Sequence, residues 1–467
     1  MKIKVAGAGA GKTISMAHRI QEHEIPDGKV VYCVAFTNAA ADSIRLKLAD
    51  LYGSIPRNIK VSTIHSFFYS ELILPYYHLV FGKRYQSIST IVLPDKPQHR
   101  NVRIHKLDEQ GLLHQSVIPQ RAKWLVSKKS GDTRSAKSMR KTVLSLFAGY
   151  CDAIYVDEAQ DMDEDICAVL VALDHAGVNI ELVGDPEQDV RGHGRFRQLI
   201  EENDDVTYTN ECHRCPQAHL DLSNRLVPNA ERQISTQLVP RGSINLYFES
   251  ETNVPLLVAH RHFGLIYISR KNDRFETHTN QRGNERLDDI RQQLVPAIHE
   301  RWPQATDLEV NRAAYYAAEK MISQVDAGAL PNDAIRPWIR RGFFSYSRQP
   351  YAQLASTLAG HSEHDASKIP AQSIEAVKGL EHENCLFILT TDLAPYLLGD
   401  KTDDNKTKHL LYVALTRSSN ELSVLVTKEV EAQYPRQRIT AVIKPESQPA
   451  GCLVDSIWQP PLTPRKS

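Results

Sequence analysis

Long apolar runs are missing from this chain. No stretch approaches the ~18 residues that a membrane-spanning helix needs, so no such helix is expected. An excess of either charge is missing too. Lys plus Arg and Asp plus Glu both number 56 in 467 residues, so any contact with nucleic acid must come from a local patch. Cysteine is scarce: seven, an odd number and widely scattered, fit a reduced cytosol better than a disulfide framework. No short-period repeat or low-complexity tract is visible before the Pro-rich end. The first strand-like run begins almost at Met1, leaving no room for a signal or transit peptide. A soluble cytoplasmic protein of two to four domains is expected, because the chain is too long for one core.

The stretch from Ile3 to Thr13, IKVAGAGAGKT, is the strongest local signal. A β-branched run leads into Gly7, Gly9, Ala10 and Gly11, whose small size lets a tight loop aim several N–H groups at one point. A helix beginning near Lys12 adds the positive end of its dipole, and the two together cradle phosphates. Lys12 would reach the β- and γ-phosphates of ATP, and the Thr13 hydroxyl would sit on Mg²⁺. The usual pattern starts with Gly; here that position is Ala6.

The surrounding pattern alternates. A helix over 12–24, a buried strand over 30–36, a helix over 39–51 and a strand over 59–64 open a mostly parallel sheet with helices on both faces. The rhythm breaks over 70–149, where β-like runs at 88–93 and 102–107 precede a basic segment, and this reads as an inserted subdomain. Strands resume at 153–157, 180–184 and 206–208. A second set follows over 243–445: strands near 244–250, 263–270, 372–376, 384–391 and 421–427, a helical insertion over 284–358 and a helix near 406–416. The Pro-rich tail over 446–467 reads as a loosely held end.

Asp157 and Glu158 close the strand ending in Val156. Carboxylates there, beside a phosphate loop, would hold Mg²⁺ (Asp157) and orient and polarise the attacking water (Glu158). The next strand ends in Gly184-Asp185-Pro186-Glu187-Gln188, and Gln188 in that register reads as a γ-phosphate sensor. His361, Glu363, His364 and Asp365 form a metal-like cluster that also suits a solvated loop, and Cys212-x-x-Cys215 lacks the second pair a zinc site would need.

Together these motifs resemble those of the UvrD/Rep family of superfamily 1 DNA helicases over nearly the whole chain. Phe36-Thr37-Asn38-Ala39-Ala40-Ala41 resembles that family's FTNKAA stretch and Thr63-Ile64-His65-Ser66 its TxHx stretch, both bordering the single-strand channel. Cys212-His213-Arg214-Cys215-Pro216 resembles NYR[SC], Val377-Lys378-Gly379-Leu380-Glu381 resembles AKGLE, and the run from Tyr412 to Arg417 resembles YVAxTRA. The resemblance implies an α/β fold of two RecA-like P-loop domains, 1–235 and 243–445, each with an insertion. It implies ATP and Mg²⁺ as cofactors and 3′-to-5′ movement on single-stranded and forked DNA. Arg214 and Arg417 would reach the γ-phosphate, Glu381 and its neighbour Gly379 would meet the ribose, and His213 would stand where a Tyr stacks on adenine. His193 stands where a Trp stacks on a DNA base.

Two other readings stay open. One is a DNA-sensing regulatory ATPase controlling a partner nuclease. The compact UvrD-like subunits of Gabija-type antiphage systems, which accompany an OLD-family nuclease, are of this size. The mixture of Trp338, Phe343, Phe344 and Tyr346 with Arg340, Arg341 and Arg348 has a composition found at interface cores and would dock such a partner. The other is a P-loop nucleotide kinase or GTPase-like switch, which the 377–381 and 412–417 motifs disfavour. The resemblance also sets an expectation for nucleotide choice. The family's upstream adenine-reading Gln is not in this sequence, and His213 replaces the stacking Tyr. Discrimination between bases needs groups that the incorrect base leaves unpaired. GTP should therefore compete within about tenfold of ATP in a competition hydrolysis assay; strict ATP selectivity would show that other residues read the base.

Overall fold

The computed structural model describes residues 1–94, 96–127, 129, 131–237, 242–277, 280–326, 328–359 and 368–444. Lys128, the cluster His361, Glu363, His364 and Asp365, and the tail 446–467 lie outside the described residues. No described helix is long and apolar enough to cross a membrane.

In the first lobe the strands are β1 (Lys2–Ala6), β2 (Val30–Ala35), β3 (Ile59–Thr63), β4 (Ser87–Ser89), β5 (Leu112–His114), β6 (Cys151–Val156), β7 (Asn179–Gly184) and β8 (Val206–Thr209). Six of them form one parallel sheet in the order β3-β2-β6-β7-β1-β8. Strand alternation explains why helices cover both faces. Val31, Cys33, Ala35, Ala153 and Tyr155 point to one side, where they meet Met16, Ala17 and Ile20 of helix Lys12–Glu22 and Ile44 and Leu48 of helix Asn38–Tyr52. Tyr32, Val34, Ile154 and Val156 point to the other, against Val169 and Leu173 of helix Glu164–His175 and Phe147 of helix Arg134–Tyr150.

The segment over 70–149 carries helices Leu74–Phe81, Pro97–Glu109, Ile118–Val126 and Arg134–Tyr150, with β4 and β5 paired in parallel. It is continuous with the lobe's core: Tyr77, Tyr85, Ile118 and Leu125 belong to the same buried cluster as Ile154 and Leu182. The β-like run at 102–107 is helical instead. Pro97 opens the helix, Val102 stays exposed and only Leu107 is buried, so helix-favouring Arg, Lys and Leu decide where no strand partner is offered. Much of the basic segment is used internally. Arg140 is buried in a forked ion pair with Asp132, Lys123 pairs with Asp165 at 2.8 Å, and Arg121 and Lys129 lie over the Trp124 ring. Arg134, Lys137 and Lys141 remain exposed.

After the short parallel pair β9 (Glu211–Cys212) and β10 (Ile234–Ser235), the second lobe adds β11 (Ser243–Phe248), β12 (Leu265–Ile268), β13 (Phe275–Thr277), β14 (Ile369–Ser373), β15 (His382–Leu389) and β16 (Ser418–Val426). These six form a second parallel sheet, order β11-β16-β15-β12-β14-β13. The fold class is thus α/β with two parallel sheets flanked by helices. Helices Asn280–Arg301, Asp307–Asp326, Pro331–Arg340 and Arg348–Ala359 enclose a separate core around Leu294, Ala317, Met321 and Trp338. Trp338 and Phe344 are buried there, so those aromatics build the insertion rather than a docking face; Tyr346 is exposed.

The lobes touch through apolar and charged contacts. Ala8, Val190 and Leu222 of the first lobe share a cluster with Tyr412, Leu411 and Val424 of the second. Nearby, buried Glu187 faces Lys408 at 3.4 Å, His409 at 3.8 Å and Arg197 at 2.8 Å, while Asp404 holds both Lys408 and His409 at 3.0 Å. Burial pushes the Glu187 carboxyl up to about 7, against the opposing pull of Lys408, His409 and Arg197. A carboxyl raised from 4.5 takes up a proton on folding, so its contribution to stability is present at low pH and lost as pH rises through about 7. Thermal melts of Glu187→Gln should therefore gain on wild type as pH rises from about 5 to about 8. A difference that stays constant over that range would show that the carboxyl is not the titrating group.

Candidate nucleotide site and the cleft between the lobes

The loop leaving β1 turns through Gly9 and Gly11, both at φ 71°, a left-handed conformation that side chains resist. Its neighbours leave no space either. A Cβ on Gly7 would meet the Gln233 side chain at 2.4 Å, and one on Gly9 would meet Arg214 Cβ at 2.5 Å. Lys12 arches back over the loop, its Nζ donating to the carbonyls of Ala6 at 3.2 Å and Gly7 at 3.1 Å. Ala10, like the glycines, adds nothing that would obstruct the concavity.

The loop after β6 comes to the same place. Thr13 Oγ1, in the first turn of the helix, donates to Asp157 Oδ2 at 2.8 Å although 144 positions separate the two. Hydroxyl and carboxylate are oxygen donors of the kind a hard divalent cation takes. Burial pushes the Asp157 carboxyl up to about 6, the adjacent Glu158 adds to this, and Thr13 and Lys12 oppose it. Glu158 moves the other way. Burial alone would raise it, but Lys12, Lys378, the Gln160 amide and Arg417 together hold it below the ordinary carboxylate value. The two neighbours divide into a reluctant and a ready anion. Glu158 is also held at φ 57°, a strained conformation for a non-glycine residue.

Gln160 joins this acidic turn to the next one. Its Nε2 donates to Glu158, and its Oε1 accepts the Asp185 N–H at 3.0 Å. Gln188 is buried, its amide donating to Asp185 Oδ2 at 2.7 Å.

The arginines come from both lobes. Arg214 forms an ion pair with Glu381, which reaches it from the second lobe just past Gly379 (φ 82°). Arg417 is buried, with its guanidinium donating to Val413 O at 2.9 Å, Leu380 O at 3.2 Å and Thr416 Oγ1 at 3.0 Å. Burial and then the charge of Arg214 lower its pKa, so the two guanidinium groups feel one another. Lys378 crosses to Asp161 at 2.6 Å. Exposed His213 is fixed by its N–H to Gly9 O at 2.9 Å and by Nδ1 against Thr236 Oγ1 at 2.7 Å.

The residues resembling single-strand contacts gather elsewhere along the same sheet edge. Phe36, Thr37 and Asn38 follow β2, and Thr37 caps its helix through the Ala40 N–H at 3.1 Å. Thr63 ends β3 and caps the turn carrying His65, whose imidazole is lowered chiefly by burial. His193 lies exposed after β7. All stand at the carboxyl ends of strands, the edge where open α/β sheets bind ligands. Lys378 and Tyr412 stand within the sequence motifs without a role given to them, and Gln160, Asp161 and Gln233 were passed over. Gln233 carries no local signal, because its partners lie in the loop after β1 and in the second lobe.

Glu158→Gln keeps shape and hydrogen bonding but removes the charge that would polarise a water. Nucleoside triphosphate hydrolysis should fall at least about a hundredfold while nucleotide binding, followed by fluorescence titration, persists. Near-normal turnover would place the base elsewhere.

With that geometry in place, comparisons add a partial frame. Residues 1–192 match the family model described as AAA domain. No curated protein matches the chain. Among solved structures it is similar to the Arterivirus nonstructural protein 10 helicase at 11% identity and TM-score 0.38, covering 95% of this chain and 62% of that one. The same helicase in complex with DNA aligns at 12% identity and TM-score 0.37, over 95% and 63% of the two chains. The PRRSV helicase aligns at 9% identity and TM-score 0.34, over 91% and 52%. The chain therefore spans less than two thirds of each of these helicases.

Proposed function

We propose that this chain is a DNA-dependent ATPase of superfamily 1 type, resembling UvrD/Rep helicases, that works in the cytoplasm and moves on single-stranded DNA. One observation carries the reading: the Thr13–Asp157 hydrogen bond sets a carboxylate pair beside a phosphate-cradling loop, with Arg214 packed against that loop and Arg417 coming from the second lobe. In this reading ATP lies with its phosphates against the N–H groups of 7–13. Thr13 and Asp157 would hold Mg²⁺, which would supply charge neutralisation at the phosphates. Glu158, kept anionic, orients a water and takes its proton as the water oxygen bonds to the γ-phosphorus and the ADP oxygen leaves. Lys12, Arg214 and Arg417 balance the charge that spreads over the transferring group; an arginine finger of this kind contributes about 10³–10⁵ in rate. Release of the inorganic phosphate after hydrolysis removes negative charge from between the lobes, and the resulting change in cleft closure shifts the strand lying near Phe36, Asn38, His65 and His193. Movement runs 3′ to 5′ in the resembling family.

A second reading, a regulatory ATPase that works with a nuclease and unwinds little by itself, is favoured by one surface feature. Tyr315, Tyr316, Leu330 and Tyr346 of the helical insertion are each about half exposed or more, leaving large side chains available to a partner. His193 also grips a base less firmly than Trp would, and opening duplex costs roughly 1.4 kcal/mol per step. The purified chain should show ATP hydrolysis stimulated by single-stranded DNA yet poor unwinding of long duplexes at limiting concentration with a trap strand. Absence of stimulation by any nucleic acid would sink the first reading. Efficient unwinding of long duplexes by the chain alone would sink the second.

A further inference from the structure

We infer that Tyr412 is a positioning residue: its hydroxyl locks the helix leading to Arg417 onto the phosphate loop, so that the arginine is in register with the loop it serves. This inference deepens, and rests on, the ATPase reading.

The hydroxyl is fully buried at the junction of the lobes, and three first-lobe groups converge on it. The Ala8 N–H donates to Tyr412 Oη at 3.2 Å. Asp185 Oδ2 lies at 3.3 Å and Gln233 Oε1 at 3.2 Å, both as acceptors. The Gln233 amide is oriented by its other end, since Nε2 donates to Ala8 O at 3.0 Å. Both polar atoms of Ala8 are thus held from outside the loop, one by Tyr412 and the other by Gln233, with Cys212 Sγ joining at the carbonyl at 3.1 Å. Asp185 Oδ2 also takes the Gln188 amide at 2.7 Å. A continuous path of hydrogen bonds therefore runs from Ala8 through Tyr412 and Asp185 to Gln188.

Position gives this path its meaning. Tyr412 belongs to helix Lys406–Leu415, and Arg417 follows about a turn and a half later, its Nε tied back to Val413 O at 2.9 Å. Fixing the tyrosine fixes the helix end and therefore the arginine. A phenol has one hydrogen, so it donates to Gln233 or to Asp185 but not to both at once. Asp185 Oδ2 keeps the Gln188 amide when the phenol turns to Gln233, whereas Gln233 Oε1 loses this donor when the phenol turns to Asp185. Such a group, buried and under-satisfied, re-pairs readily when the lobes move, unlike an apolar contact.

Tyr412→Phe keeps the ring in its core and removes the hydroxyl alone. Steady-state ATP hydrolysis should lose about tenfold in kcat, the scale of one buried hydrogen bond realised in the transition state. KM for ATP should stay close to wild type, while the melting temperature falls modestly because the Ala8 N–H loses its buried partner. Because the tyrosine acts through Arg417, Tyr412→Phe combined with Arg417→Lys should be no slower than Arg417→Lys alone. Hydrogen exchange over 7–11, where the Ala8 amide lies, should accelerate in the variant. Should Tyr412→Phe fold poorly, Gln233→Met removes the neighbouring acceptor and the Ala8 O donor, and the same loss in kcat is expected. Unchanged kcat, a loss confined to KM, or additive losses in the double variant would each overturn the inference. Wild-type protein that hydrolyses no nucleoside triphosphate would overturn the functional reading and this inference together. Hydrolysis by wild type with an indifferent Tyr412→Phe overturns the inference only.

Discussion

A loop that aims its N–H groups at one point has almost no room for side chains, and most of the site depends on that constraint. The phosphate loop is crowded from outside as well as tightly wound within. Gln233 lies where a Gly7 Cβ would be, and Arg214 where a Gly9 Cβ would be. The glycines thus serve two ends: Gly9 and Gly11 supply positive φ, and Gly7 and Gly9 let residues more than 200 positions away close on the backbone. Because Arg214 approaches through its own Cβ, loop conformation and arginine position are fixed by the same contact. Loosening one displaces the other.

The second consequence is electrostatic. Lys12, Lys378, Arg214 and Arg417 face a cleft whose ionised carboxylates include Glu158 and Glu381. Most of these charges are stored on partners that are easily exchanged. Lys12 rests on carbonyl oxygens and Arg214 on a carboxylate that is itself more than half exposed. Lys378 is tied to Asp161 across the lobes, so closing the cleft changes the field on Glu158. The electrostatic environment of Glu158 is then a property of both lobes.

Much of this was legible in the sequence, and for identifiable reasons. The run of small residues before Lys12 and Thr13 can serve few purposes, and 30–35 and 153–156 are continuous apolar runs that suit strands of a sheet covered on both faces. The helix over 97–109 was not legible, since VRIHKL alternates like a strand and only the absence of a pairing edge decides against it. The burial of Trp338 and Phe344 was hidden too, because an aromatic composition reads alike in a core and at an interface. Gln233 and the Tyr412 hydroxyl were invisible for a different reason: their meaning lies in contacts across 225 and 404 positions, and no local pattern encodes those.

Arg417 shows how such contacts combine. A guanidinium buried without a carboxylate partner is costly, and carbonyl dipoles offset only part of that cost. Burial first, and then the charge of Arg214 nearby, lower the pKa of Arg417. The fold tolerates this because helix Lys406–Leu415 is held at both ends: Asn405 caps it through the Thr407 N–H at 2.9 Å, and Tyr412 ties its last turn to the first lobe. Two mutually repelling cations held apart by a rigid frame bind a polyanion placed between them more strongly than either would alone. The anion relieves the repulsion as well as adding its own attraction, and in a site of low dielectric the relief is large. Under the proposed ATPase reading, this repulsion is a preference for a multiply charged phosphate over a singly charged one.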